Sequence, residues 1–153
     1  MNKLFDAAAS ANTLLARGLD ALQPLFLLGL RVYVANVFFK SGLTKIDDFS
    51  STVALFENEY TVPLLSPTVA AAMGTGAELV LPILFALGIF SRPVAIAFFI
   101  FNAVAVISYP EISPAGVKDH VIWGAMIATV VFFGPGKLAL DQFLSRFGLA
   151  TVR

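Results

Sequence analysis

The chain has no cysteine among its 153 residues. That excludes disulfide relays, thiolate metal sites and cysteine nucleophiles, and it leaves the redox compartment unread. There is one histidine, so a haem held through axial ligands of this chain alone is not expected. Charge is scarce as well. Asp, Glu, Lys and Arg make up 13% of the residues, against about 25% in soluble domains. That is too little polar surface to coat a water-soluble globule. Ten cations balance ten anions, and a net charge of zero argues against a nucleic-acid partner. A cleavable signal peptide is not expected either. Lys3 is followed by only a short apolar stretch, and the first long run, from residue 24, has no small-residue cleavage site after it.

What the chain has in quantity is apolar sequence: 58% of residues are hydrophobic, and mean hydropathy is +0.86. The lipid bilayer is therefore its expected surrounding. The organising stretch is Val69–Ile89, VAAAMGTGAELVLPILFALGI. At about 1.5 Å rise it reaches roughly 30 Å, the thickness of a hydrocarbon core. It carries one carboxylate, Glu78. A lone acid at that depth is costly and needs a partner. The other apolar run with a cation near its middle is Leu25–Phe39, with Arg31. Arg31 and Glu78 are expected to pair on facing helices.

Taken in order, residues 2–22 read as an amphipathic helix at the membrane surface or, alternatively, a frayed tail. Leu4, Ala8, Ala11, Leu15, Leu19 and Leu22 recur at helical spacing. Pro24 is where a helix can start. The first span follows, Leu25–Phe39 or on to Leu43. Arg31, Phe38, Gly42 and Lys45 share one stripe of it at 100° per residue. Gly42 there lets another helix approach closely. Residues 44–68 are the longest polar connection. They hold a short amphipathic helix capped by Ser50 or Ser51, and Pro63 and Pro67 break the chain after it.

The second span, Val69–Ile89, has a small-residue patch, Gly74 to Ala77, before Glu78, and a kink expected at Pro82. Its GTGAEL lacks the third glycine and the preceding strand of a dinucleotide motif. After a turn at Ser91 to Pro93, the third span runs Val94–Tyr109 with Asn102 near its centre. The fourth runs roughly Val117–Phe133. It opens with Lys118, Asp119 and His120, and Trp123 is its interfacial aromatic. Gly134 to Gly136 ends it, and Lys137–Arg153 reads as a second amphipathic surface segment.

The fold class expected is thus an all-α membrane protein, a four-transmembrane-helix bundle with amphipathic surface helices at the termini. Residues 1–23 are the N-terminal segment, 24–134 the membrane domain and 135–153 the C-terminal tail. Lys3, Arg17, Arg92, Lys137, Arg146 and Arg153 fall on one side. The positive-inside rule then puts both termini in the cytoplasm. The depths of Arg31, Glu78 and Asn102 agree within roughly 10 Å by helical rise. They form an expected polar column, open toward Lys45 and His120 at the outer face. One reading of these five candidates is a site for a quinone or small anion. Glu78 or His120 would then handle protons, and Arg31 or Lys45 would hold negative charge. The other reading is structural: the ion pair fixes register and Asn102 bridges helices.

Five segments in this order resemble the DoxX family of small bacterial membrane proteins: RVYVANVFFKSGLTKI, LFENEYTVPLLSP, GAELVLPILFALGIFSRPVA, FNAVAVISYP and the His120 region. The likeness runs from about Leu28 to Phe133. It implies a four-helix membrane bundle in the bacterial inner membrane. The family takes its name from a subunit associated with archaeal thiosulfate:quinone oxidoreduction. The resemblance therefore implies an accessory subunit of a redox or detoxification system, with quinone as the cofactor it suggests, rather than an enzyme acting alone. A membrane or periplasmic redox protein and a homo-oligomer are the protein partners it leaves open. Relatives that work with disulfides use cysteines, which this chain lacks. A carrier of small solutes or metal ions, and a structural anchor without a ligand, are the competing readings.

Overall fold

The computed structural model describes residues 2–147. Among them every regular element is a helix. Three helices are long and apolar enough to cross a membrane, and a fourth, shorter helix is also apolar.

Helix α1, Asn2–Asp47, is 46 residues long, about 69 Å at the ordinary rise. Pro24 lies inside it, so the expected helix boundary there does not exist. Pro24 removes its own N–H, which would have bonded the Asp20 carbonyl, and its ring crowds that carbonyl. Ala, Leu and Gln, none of them branched at Cβ, flank it and keep the helix going. From Leu4 to Gln23 every residue is exposed, and packing begins at Leu27.

Helix α2, Phe49–Asn58, starts after a single-residue break. Its cap is Asp48 rather than either serine. The Asp48 carboxylate accepts from Ser51 N at 3.0 Å, and the Ser50 and Ser51 hydroxyls both donate to it at 2.6 Å. Those hydroxyl bonds hold its carboxyl well below the usual carboxylate range. A carboxylate takes several donors at once, which a serine hydroxyl does not.

Helix α3 is Pro67–Leu87, with Ser66 as N-cap and Gly88 (φ 71°) ending it in the left-handed conformation. Pro67, expected only to break the chain, is the first residue of the helix, where its missing N–H costs nothing. Helix α4, Ser91–Ile107, follows a tight turn. Helix α5, Pro114–Phe133, is capped by Ser113. Of the expected C-terminal segment, Leu140–Arg146 forms α6, and residues 148–153 lie outside those described.

Helix α1 packs on α3 and α5, α3 on α4, and α4 on α5, so the four close a ring, and α2 leans on α3. The core is the ring's centre: Val34, Phe38, Phe85, Val94, Ala95, Phe98, Ile127 and Val130. Phe38 is its hub, with the Phe98 and Trp123 rings edge-on at 4.8 and 5.4 Å. Gly42 permits the α1–α3 contact. A Cβ there would meet Leu79 Cδ2 at 2.9 Å and Glu78 Cβ at 3.0 Å.

Candidate functional site

The helices α1 and α3 run antiparallel. Arg31 therefore lies opposite the end of α3, and Gly42 opposite its middle. One turn beyond Gly42, the Lys45 ammonium reaches back to Glu78. It donates to Glu78 Oε2 at 2.7 Å, Oε1 at 2.9 Å and Ser41 Oγ at 2.8 Å. Ser41 Oγ donates to Glu78 Oε1 at 3.2 Å. The pair is nearly shut off from the surface, with side-chain exposures of 14% and 11%. Buried ions with this many hydrogen bonds have much of their lost hydration replaced.

Lys45 and Glu78 form the polar end of a cavity of about 210 Å³ between α2, α3 and α4. Its other walls are mainly apolar, among them Phe56, Val62, Met73, Phe101 and Val104. Tyr60 closes one side. It stacks on Phe56 at 4.5 Å and on Tyr109 at 4.9 Å, with rings within 13° of parallel. The Tyr109 hydroxyl donates to Glu59 at 3.0 Å, and Thr61 N donates to Ser108 O at 2.8 Å, which ties the α2–α3 loop across the cavity. Burial pushes the Tyr60 phenol above its ordinary value, and the charge of Glu78 adds to it. Ser108 also lines the cavity. Its buried hydroxyl has no hydrogen-bond partner among the described residues.

Arg31 does not meet Glu78. Its guanidinium donates to the carbonyls of Ala86 at 2.8 Å, Phe85 at 3.4 Å and Leu138 at 2.6 Å. The first two belong to the last turn of α3, at the negative end of the helix dipole; Phe85 O also accepts from Gly88 N at 3.2 Å, so Arg31 is a second donor to it. Asp141 does the converse at the start of α4. It accepts from Phe90 N, Ser91 N and Ser91 Oγ at 3.0, 2.7 and 2.7 Å. The α3–α4 turn is thus held by a cation on one helix end and an anion on the next. The expected Arg31–Glu78 contact rested on each charge lying near the middle of its own apolar run, with Lys45 placed at the outer face. The α1–α3 register, with Gly42 against Glu78, puts Arg31 at the end of α3, about 21 Å of helix from Lys45.

Asn102 and His120 form a third group. Asn102 Nδ2 donates to the His120 carbonyl at 3.0 Å, which leaves Asn102 Oδ1 to accept from His120 Nδ1 at 2.8 Å. The expected polar column is therefore three separate groups. Of the five sequence-derived candidates, Lys45 and Glu78 pair at the cavity between α2, α3 and α4, Asn102 and His120 pair between α4 and α5, and Arg31 stands apart. Sequence reasoning missed Ser41, Tyr60, Ser108 and Asp141. Ser41 had a readable signal, because it lies one turn before Lys45 on the helix. The others arrive from loops and distant helices.

Several apolar helices of spanning length, packed around a buried ion pair, define a multi-pass integral membrane protein. Residues 26–110 match the DoxX family model, more than half the chain. The chain is also 30% identical over 143 residues to the inner membrane protein YphA of Escherichia coli (strain K12), covering 86% of this chain and 99% of that one. The chain belongs to the DoxX family. The matched segment contains Arg31, Lys45, Glu78 and Asn102 and ends before His120. No solved structure matches.

Proposed function

We propose that this chain is an inner-membrane accessory subunit that binds a quinone-type ring in the cavity between α2, α3 and α4, serving a redox or detoxification system. The observation that carries the reading is the Lys45–Glu78 pair at one end of an otherwise apolar, aromatic-walled cavity. Ser108 supplies a second polar point, a buried hydroxyl with no hydrogen-bond partner among the described residues. A flat apolar ring with two opposed oxygens satisfies both. Lys45 donates to one oxygen, Ser108 to the other, and the aromatic side chains cover the faces. Glu78 sits beside the first oxygen, where it can exchange a proton with a reduced ring.

The same reading takes the bundle as four crossings, α1, α3, α4 and α5, with both termini cytoplasmic. The Lys and Arg count supports that orientation, and the name of the Escherichia coli relative supports the inner membrane. Among the described residues no three His, Asp or Glu side chains gather at one point, so a metal-ion carrier has no ligand set to rest on.

The test is thermal unfolding of the detergent-solubilised chain with a short-chain quinone. A ligand at 100 times its Kd adds about 2.7 kcal/mol to stability, a readable rise in Tm. Wild type should show the rise, and Glu78→Gln and Ser108→Ala should lose most of it. No rise with any benzo- or naphthoquinone, together with no quinone co-extracted from membranes, overturns the reading.

A further inference from the structure

The face of α1 that turns away from the core carries a repeat the bundle does not use. In its projecting half the positions are Leu4, Ala8, Ala11, Leu15, Gly18 and Leu22. In its packed half the series continues as Leu25, Gly29, Val32 and Asn36. The spacing alternates four and three without a break, the heptad seam of a two-stranded coiled coil. All ten positions are exposed. Leu4, Leu15, Leu22 and Leu25 are 58–80% exposed. The charges of the projecting half, Asp6, Arg17 and Asp20, lie on the opposite face.

We infer that α1 pairs in parallel with the α1 of a second copy, as one coiled coil that begins outside the bilayer and continues into it. Two copies in the same membrane with the same orientation can only present this seam in parallel. Leu4 to Asn36 is about 48 Å of helix, and a contact about 10 Å wide then covers roughly 500 Å² per copy. The total reaches the ~1,000 Å² that a specific interface requires. Asn36 gives the second, independent reason. It lies beyond Arg31 toward Gly42, on the face of α1 turned away from the core, and its side chain is exposed. An asparagine on a helix surface within a membrane bonds to its copy across a dimer, and one such residue on the seam fixes register. Gly29 allows close approach there, since a Cβ on it meets nothing within 4 Å in the monomer. Beside it, a shallow groove between α1 and α5, lined in part by Tyr33, Ala125 and Thr129, leaves room for the second helix.

A helix lying on the membrane explains these features less well. Surface helices are rich in Lys and Arg on the polar face. Residues 2–22 carry Lys3 and Arg17 against Asp6 and Asp20. Nor would a surface helix keep one unbroken seam through Pro24 into the span.

The absence of cysteine makes the test clean. Single variants Leu15→Cys, Leu22→Cys and Val32→Cys in the full-length protein, oxidised in native membranes, should give a species of twice the chain mass. Arg17→Cys and Asp20→Cys, on the opposite face, should not. Gly29→Leu should leave the monomer's Tm unchanged and weaken dimerisation in mild detergent on the order of tenfold, and Asn36→Leu should do the same. Crosslinking at no position, or equally on both faces, overturns the proposal. So does a Gly29→Leu protein that is as dimeric as wild type. Quenching by brominated lipid of a fluorophore attached at Leu15→Cys, without crosslinks, would put that helix on the membrane surface instead and also overturn it.

Discussion

Arg31 and Lys45 lie on the same stripe of the same helix, and both are cations removed from water. Their surroundings differ in kind. Arg31 bonds backbone carbonyls at the end of α3 and in the segment before α6, three acceptors that no ligand would need. Lys45 bonds one carboxylate and one hydroxyl, and both it and Glu78 border open volume. A buried cation held by backbone carbonyls ties elements of the fold together. One held by a carboxylate at a cavity wall can exchange that partner for a ligand oxygen. The first arrangement serves stability, and the second keeps chemistry within reach.

The largest expected effect follows from Arg31. Arg31→Leu leaves the carbonyls of Ala86 and Leu138 without their donor in a buried place, at about 1–3 kcal/mol each. It also takes away the cation that ties the end of α3 to the segment before α6. We expect a loss of about 3–4 kcal/mol, roughly 10 °C in the Tm of the solubilised protein. Quinone stabilisation measured relative to the variant's own Tm should survive. A variant that keeps its Tm would remove the distinction between the two cations.

Asp141→Asn should come next. The amide still accepts, but the charge on the two N–H donors of α4 is gone. Charge-assisted bonds are worth about 1.5–3 kcal/mol and neutral ones about half that. We expect a loss near ~2 kcal/mol, read as a Tm shift of about 4–8 °C, again with quinone binding intact.

These two residues also show what the sequence made legible. The stripe Arg31, Phe38, Gly42, Lys45 was readable because helical geometry turns 100° per residue whatever surrounds it. It does face the core and α3: Phe38 is buried and Gly42 touches Glu78. The apolar runs gave the long helices, three of them of spanning length, because bilayer thickness sets the length of such runs. The partner of Arg31 was not readable, since its acceptors are backbone carbonyls, which every residue has. Asp141 was not readable either. It lies in a seven-residue helix and meets a turn 50 residues earlier in the chain. Pro24 misled because a proline marks a helix start only when nothing before it is already helical. Glu78 was paired with the wrong cation for a different reason: Arg31 lies near the middle of an apolar run and Lys45 near its end, while the α1–α3 register brings Lys45 to Glu78.

A double-mutant cycle sharpens the comparison at smaller energies. Lys45→Met and Glu78→Gln each remove one side of a buried pair. Their effects should be strongly non-additive, with a coupling of about 1–3 kcal/mol. Arg31→Leu combined with Glu78→Gln should be additive within about 0.5 kcal/mol, because the two residues share no partner. Both cycles use the Tm and denaturation midpoint of the same detergent preparation. Additivity in the first cycle, or coupling in the second, would reverse the assignment of Glu78 to Lys45.

The smallest effect is in the titration of Tyr60, and it reads the charge of Glu78 across the cavity. An ordinary phenol ionises near pH 10. Burial raises that of Tyr60, and the Glu78 charge raises it further. The folded chain therefore holds this proton more tightly than the unfolded one. The sign follows by linkage: stability from this group is complete below about pH 10 and is lost as pH rises through the raised value. Tyr60→Phe should flatten the fall in Tm above pH 10, and the change should stay well under that of Arg31→Leu. Glu78→Gln should move the tyrosinate absorbance of Tyr60 back toward pH 10, whereas Arg31→Leu should leave it in place. Tyr109 titrates in the same region, raised by its hydrogen bond to Glu59, so the comparison is made in a Tyr109→Phe background. If Glu78→Gln leaves the Tyr60 titration unmoved there, the carboxylate does not act across the cavity, and the cavity loses the polar end that sets Lys45 apart from Arg31.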